Sequence, residues 1–208
     1  MKRIRTIVIL ALAGVIIPFV ACEDEEKDIE TMTSGFMTGQ TDSKGHITIL
    51  KDDFGKQYVV KETSDSLLPD TMIRVVTSIA LDQNGAARIL QVVRPMSYRA
   101  PEDSLINDTL KVKDPVQLYT AYIGGGYLNI TLGVKVKKEM TMHMLGYSHL
   151  GTPTTSFTLY HNAYGDGDVY TKNAYISIPL SFYGLNKNDT VSFYYKSYEG
   201  DRVVKLAY

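Results

Sequence analysis

The 208-residue chain contains no tryptophan and a single cysteine. One thiol cannot close an internal disulfide, and it excludes a zinc site built on several thiolates. Four histidines, at 46, 143, 149 and 161, follow no metal-ligand spacing. Charge of one sign is also missing, with 22 basic against 23 acidic side chains. There is no G-x-S-x-G elbow, and the glycine run 124–126 lacks the Lys-Ser/Thr of a phosphate-binding loop. No stretch of ten or more residues repeats its apolar positions at a 3.6-residue period. What remains is ordinary: 44% hydrophobic and 22% charged residues. That composition excludes whole-chain disorder, collagen-like repeats and a multi-span membrane protein.

The N-terminus sets the address. Lys2, Arg3 and Arg5 precede an apolar run from Thr6 to Val20. At 15 residues the run is short for a bilayer span, which needs about 20. It fits the apolar core of a secretory signal over residues 1–21. Phe19-Val20-Ala21-Cys22 resembles the bacterial lipobox, with Phe in place of the usual Leu. That resemblance implies cleavage before Cys22, its acylation, and a lipid anchor to the membrane. Several acyl chains hold stably, since each buried methylene contributes about 0.8 kcal/mol. The leader holds three basic residues and no acidic one, so the remainder carries 19 basic and 23 acidic side chains, net −4. A basic footprint for nucleic acid is therefore absent. Glu23-Asp24-Glu25-Glu26-Lys27-Asp28 belongs to an acidic tether over 22–33. It resembles the export tag of Bacteroidetes surface lipoproteins, which implies the outer face of the outer membrane rather than the periplasmic face.

Alternation with a period of two dominates the mature chain, which predicts an all-β protein. In Met72–Leu81, Ile73, Val75, Ile79 and Leu81 share one face, with Arg74 and Ser78 on the solvent side. In Leu128–Lys137, Leu128, Ile130, Leu132, Val134 and Val136 face inward, and Asn129, Thr131, Lys135 and Lys137 outward. Ten further strands are predicted over 36–41, 46–51, 57–61, 87–94, 116–123, 140–147, 156–161, 174–180, 191–198 and 202–207. Pro95, Pro101 and Pro115 mark a boundary. Five strands over 34–100 suit a small OB-like barrel. Seven over 101–208 suit a β-sandwich. The smaller unit buries only about 60% of its surface, which predicts that it leans on the larger one.

Two groups of motifs stand out in the mature chain. In its N-terminal half they are Gly39, Lys44-Gly45, Asp52-Asp53-Phe54-Gly55, Leu68-Pro69 and the strand ending near Arg94. In its C-terminal half they are Tyr127-Leu128-Asn129-Ile130-Thr131, Phe157-Thr158-Leu159-Tyr160-His161-Asn162 and the late strand Val191–Tyr195. In their order and spacing the mature chain resembles the NigD-like lipoproteins of Bacteroidetes. The resemblance implies an OB-like barrel and a β-sandwich behind a lipobox. It supplies no catalytic residues.

Several residue groups bear on function. Thirteen of the 15 tyrosines lie at or after Tyr119. Tyr160, Tyr164, Tyr170 and Tyr175 cluster around the Asp166-Gly167-Asp168 turn and suit stacking on sugars or peptides. Tyrosine is also a favoured strand residue, which explains the same excess without a ligand. Asp166-Gly167-Asp168 resembles the start of a calcium loop, but the later oxygen ligands are missing, so a β-turn is the better reading. His143 and His161 fit satisfied strand histidines better than metal ligands. Asp52 and Asp53 sit in a turn, where Asp bonds the local backbone, and the glycine run reads as a flexible link. Asp-Ser/Thr-apolar occurs five times and is similar to the O-glycosylation acceptor of exported Bacteroidetes proteins, with Ser66, Thr71, Ser104 and Thr109 in loops.

The sequence thus predicts a non-enzymatic outer-membrane lipoprotein without cofactor or metal. It would act as a binding or accessory module for an envelope protein or a glycan. The alternatives are a bacteriocin-associated accessory or immunity protein, which the family's name suggests, and a cell-envelope hydrolase built from turns around Asp52, Asp53 or Asp166.

Overall fold

The computed structural model describes residues 31–62, 66–137, 143–150 and 155–208. The signal, Cys22 and the acidic run lie outside the described residues.

The first five strands are β1 (Thr31–Thr41), β2 (Ile47–Asp52), β3 (Gln57–Glu62), β4 (Met72–Leu81) and β5 (Ala87–Val93). They close into a barrel in the order β1-β2-β3-β5-β4, with β3 and β5 parallel and β4 returning to β1. The apolar face predicted for β4 supplies Ile73, Val75 and Ile79 to the barrel core, together with Met37, Ile47, Leu50, Tyr58, Ala87 and Ile89. Closure pairs both sides of every strand and removes the exposed edges a small sheet would carry.

Seven strands follow: β6 (Gln117–Gly124), β7 (Tyr127–Val136), β8 (Met144–Leu150), β9 (Thr155–Asn162), β10 (Tyr170–Pro179), β11 (Thr190–Ser197) and β12 (Gly200–Ala207). They form a three-stranded sheet, β10-β7-β6, and a four-stranded sheet, β12-β11-β9-β8. The inward residues of β7 interleave with Phe157, Leu159, Val191 and Phe193 of the second sheet. Chain-neighbours β9 and β10 lie in opposite sheets, whereas β9 pairs in parallel with β11. The chain is all-β, an OB-like barrel followed by a seven-stranded sandwich.

The segment between the two is bonded along its length. Met96 donates its N–H to the Tyr175 carbonyl (2.8 Å) and accepts from the Ser177 N–H (2.9 Å) on the edge of β10. The Pro101 carbonyl accepts from the His149 N–H on the edge of β8 (2.8 Å), and Val112 and Asp114 pair with His161. Tyr98 stacks on Tyr147, with ring centroids 4.3 Å apart, and the Tyr147 hydroxyl donates to the Tyr98 carbonyl.

Two short turns of 3-10 helix, Asp103–Leu105 and Asp108–Leu110, follow. The Asp103 carboxylate accepts from Ser148 (2.6 Å) and from Tyr160, and pairs with Lys111 (3.1 Å). Burial alone would raise the Asp103 pKa; the bonds from Ser148, Tyr160 and Lys111 outweigh it and hold the carboxyl below its ordinary value. A carboxylate lowered in the folded state adds stability that is present above its unfolded pKa, about 3.9, and is lost as pH falls through the folded value. Asp103→Asn should therefore show a shallower loss of stability than the wild type below about pH 4 in acid-titrated thermal melts. An identical acid limb would remove Asp103 from the account.

Candidate functional site

The barrel meets the three-stranded sheet through a buried polar network. It begins in the β2–β3 turn, where two adjacent aspartates part ways. Asp52 Oδ1 accepts from the N–H groups of Phe54 (3.0 Å) and Lys56 (2.8 Å), closing the turn. Asp53 leaves the barrel. Its carboxylate pairs with Arg74 of β4 at 2.6 Å, and the two side chains are 2% and 3% exposed. It also accepts from the Tyr122 hydroxyl (2.9 Å) and from the Asn129 amide (2.9 Å). Arg74 in turn donates to Thr38 (3.2 Å), Asn129 (2.9 Å) and Ser177 (3.0 Å). One ion pair thus gathers three barrel elements and all three strands β6, β7 and β10.

Three expectations are corrected here. Arg74 and Asn129 are not on wet faces, because the neighbouring unit covers those faces: Asn129 is fully buried. Asp53 is more than a turn residue. Gly124 and Gly125 form the tight β6–β7 hairpin against which Asp53 packs. A Cβ would lie 2.8 Å from Asp53 Cβ at Gly124, and 2.4 Å from Asp53 Oδ1 at Gly125, where φ is +60°. Burial first, and the bond to Asp53 second, raise the Tyr122 pKa far above its ordinary value, so the phenol stays a neutral donor.

Beside this network a cleft of about 370 Å³ opens between the two units. Ser34 and Phe36 of β1, Thr77 and Ser78 of β4, and Gln91 of β5 form its barrel wall. Thr120 and Tyr122 of β6, Thr131 of β7 and Tyr175 of β10 form the opposite wall. Phe36 meets Tyr122 and Tyr175 edge to face, with centroids 6.2 and 6.1 Å away. Among the described residues no charged side chain lines the cleft. Rings flanked by neutral hydroxyls and an amide fit an uncharged ligand that offers hydroxyl or amide partners.

The model of the NigD-like C-terminal β-sandwich domain matches residues 100–208. The chain belongs to the NigD-like family. A solved NigD-like immunity protein from Bacteroides caccae shares 26% identity, covers 83% of this chain and 90% of its own, and superposes with a TM-score of 0.70. A structure from Parabacteroides distasonis, described as a candidate toxin-related protein, has 21% identity, coverage of 86% and 93%, and a TM-score of 0.70. A candidate lipoprotein from Bacteroides fragilis has 11% identity, coverage of 86% and 98%, and a TM-score of 0.61. These last two share the fold. No curated protein matches the chain.

Within this NigD-like chain the four clustered tyrosines are dispersed. Tyr160, on β9, is 5% exposed and its hydroxyl is bonded to Asp103, so its ring offers no free face. Tyr164 is 65% exposed in the β9–β10 loop. Tyr170 opens β10 and packs against the sandwich core. Tyr175 alone of the four lines the cleft. The reason is topological: β9 and β10 are neighbours in sequence and belong to different sheets. Ser66, Ser104 and Thr109 are exposed, and Thr71 is half-buried. Ser66 donates to the Lys44 carbonyl, and Thr109 to the Asn107 side chain. His46 pairs with Asp42 near the surface, and His149 packs on Phe157 and Tyr183. His143 and His161 come together, as described below.

Sequence reasoning leaves Asp53 in a turn and Arg74 and Asn129 on solvent faces, and it passes over Tyr122 and Ser177. One signal was available, since asparagine is depleted in strand interiors and Asn129 stands mid-strand. The tandem Asp52-Asp53 is another, because a single aspartate is enough to close the turn.

Proposed function

We propose that this NigD-like protein is an outer-membrane lipoprotein, anchored through Cys22 and facing the cell exterior, that serves as a non-enzymatic binding module. The reading is carried by the cleft, whose walls come from two units joined by the bonds of the barrel's Arg74 and Asp53 to Tyr122, Asn129 and Ser177 of the sandwich. Its uncharged lining and three rings favour a neutral glycan, or the neutral surface of an envelope protein, over a charged ligand. Among the described residues no helix is long and apolar enough to cross a membrane, which accords with attachment by lipid. The turn carboxylates offer a hydrolase little: Asp53 is consumed by Arg74, and Asp166 is engaged with His143. Ser66, Thr71, Ser104 and Thr109 are retained as glycosylation sites of the exported chain.

The test is membrane-impermeant crosslinking on intact cells, comparing the wild type with Gln91→Ala/Tyr175→Ala. The wild type should label one envelope partner or glycan. The variant should label it about tenfold less, the equivalent of about 1.4 kcal/mol. Equal labelling would dissociate the cleft from binding, and no labelling in either would place the protein on the periplasmic face.

A second reading follows from one observation. The 26%-identical Bacteroides caccae relative is described as an immunity protein. An immunity role would make the partner a bacteriocin, and the same cleft variant would then sensitise producing cells.

A further inference from the structure

Within the sandwich, apart from the residues that line the cleft, two histidines meet. His161 lies near the end of β9, and His143 stands just before β8, its antiparallel neighbour. His143 Nδ1 and His161 Nε2 are 3.0 Å apart. The other nitrogen of each ring faces an acceptor. His161 Nδ1 is 3.2 Å from the Asp114 carbonyl oxygen, and His143 Nε2 is 3.2 Å from Asp166 Oδ2. Asp166 is itself held by the N–H groups of Gly167 (2.8 Å) and Lys137 (3.2 Å).

Hydrogen placement follows from these acceptors. A carbonyl oxygen only accepts, so His161 Nδ1 carries a hydrogen. The Asp166 carboxylate accepts in the same way from His143 Nε2. Two neutral imidazoles bonded like this turn their remaining lone pairs toward each other. At 3.0 Å those lone pairs repel unless a positive centre lies between them. Burial works against an isolated charge there, since His161 is 2% exposed.

We propose that His143 Nδ1 and His161 Nε2 form a binding site for an imidazole-preferring divalent transition-metal ion. Both rings already have the outer partners of metal-bound histidines, a carboxylate on one and a backbone carbonyl on the other. Two bonds of about 2.0–2.1 Å at a tetrahedral angle set their nitrogens about 3.3 Å apart, so the rings need part by only a few tenths of an ångström. Among the described residues no group of three or more His, Cys, Asp or Glu is placed to hold a metal. The remaining positions therefore fall to water, which a hollow of about 270 Å³ beside His161, Asp166 and Lys135 admits. Such a site exchanges its metal, unlike a closed four-ligand structural site.

The test uses the mature lipidated chain in detergent, without a histidine tag, with Zn²⁺ followed by calorimetry and Cu²⁺ by electron paramagnetic resonance. One ion per chain is expected, with nitrogen hyperfine structure in the copper spectrum. His143→Gln should abolish that signature, and Asp166→Asn, which leaves both ligands in place, should weaken binding about tenfold or more. His46→Gln should leave affinity unchanged. Far-UV circular dichroism of each variant separates lost binding from lost folding, and Asp166→Asn keeps the test open if His143→Gln misfolds. Absence of binding to the wild type below millimolar metal, or equal binding by a folded His143→Gln, overturns the proposal and leaves the pair sharing a proton.

Discussion

Arg74→Ala is expected to lower the unfolding free energy by about 3–5 kcal/mol, among the larger effects a single substitution can have. The pair itself is not the source of that figure. Removing the guanidinium strands the Asp53 carboxylate, 2% exposed, in a space that water cannot readily enter. It also leaves Thr38, Asn129 and Ser177 without their shared donor. Because these partners belong to both the barrel and the sandwich, the loss should appear as a change in cooperativity too. Wild-type urea unfolding should be a single transition, and Arg74→Ala should unfold its barrel first. The chain has no tryptophan, so tyrosine fluorescence and circular dichroism supply the two signals. A double substitution, Asp53→Leu/Arg74→Met, removes both charges and should recover most of the loss, since apolar replacements of buried pairs are often neutral or better. A loss under about 1 kcal/mol in Arg74→Ala would mean that water reaches Asp53 and that the junction is not sealed.

Phe157→Ala is the second large effect, about 3–5 kcal/mol, for an unrelated reason. Phe157 is fully buried between the two sheets, within the cluster that includes Leu159, Leu128, Ile130 and Phe193. Truncation leaves a cavity whose walls are strands locked by their own ladders and cannot close over it. Here the sandwich transition should move and the barrel should follow it. If only the sandwich melts earlier while the barrel holds its midpoint, the smaller unit folds without support.

These two residues divide what the sequence made legible from what it did not. Phe157 and the alternate residues of β4 and β7 announce themselves, because burial between sheets demands apolar side chains at every second position. The twelve strands follow from that rule and from the turns between them. β1 extends further than its pattern suggests, starting at Thr31 against Leu81 of β4, because residues 31–35 pair through backbone without burying much side chain. Arg74 and Asn129 obey the same alternation and point away from their own cores, so the rule assigns them to water. Whether a polar face meets solvent or another unit is a long-range fact, since Arg74 and Ser177 are 103 residues apart. The tyrosine group fails for a related reason: closeness along a chain says little once consecutive strands enter different sheets. His161 lies on β9 and His143 just before β8, its antiparallel neighbour, so the pairing of those two strands brings distant positions together.

The bonded segment from Met96 to Asp114 carries one more consequence. On β10 and β8 it occupies backbone groups that would otherwise form an open template. If the chain is anchored by lipid as proposed, it meets copies of itself on the membrane at high local density and in similar orientation, conditions that favour strand-to-strand polymerisation. By lacing those two margins with its own backbone, the chain denies a neighbour the register it would need, and so gains colloidal independence from a stretch that, in sequence, reads as a spacer.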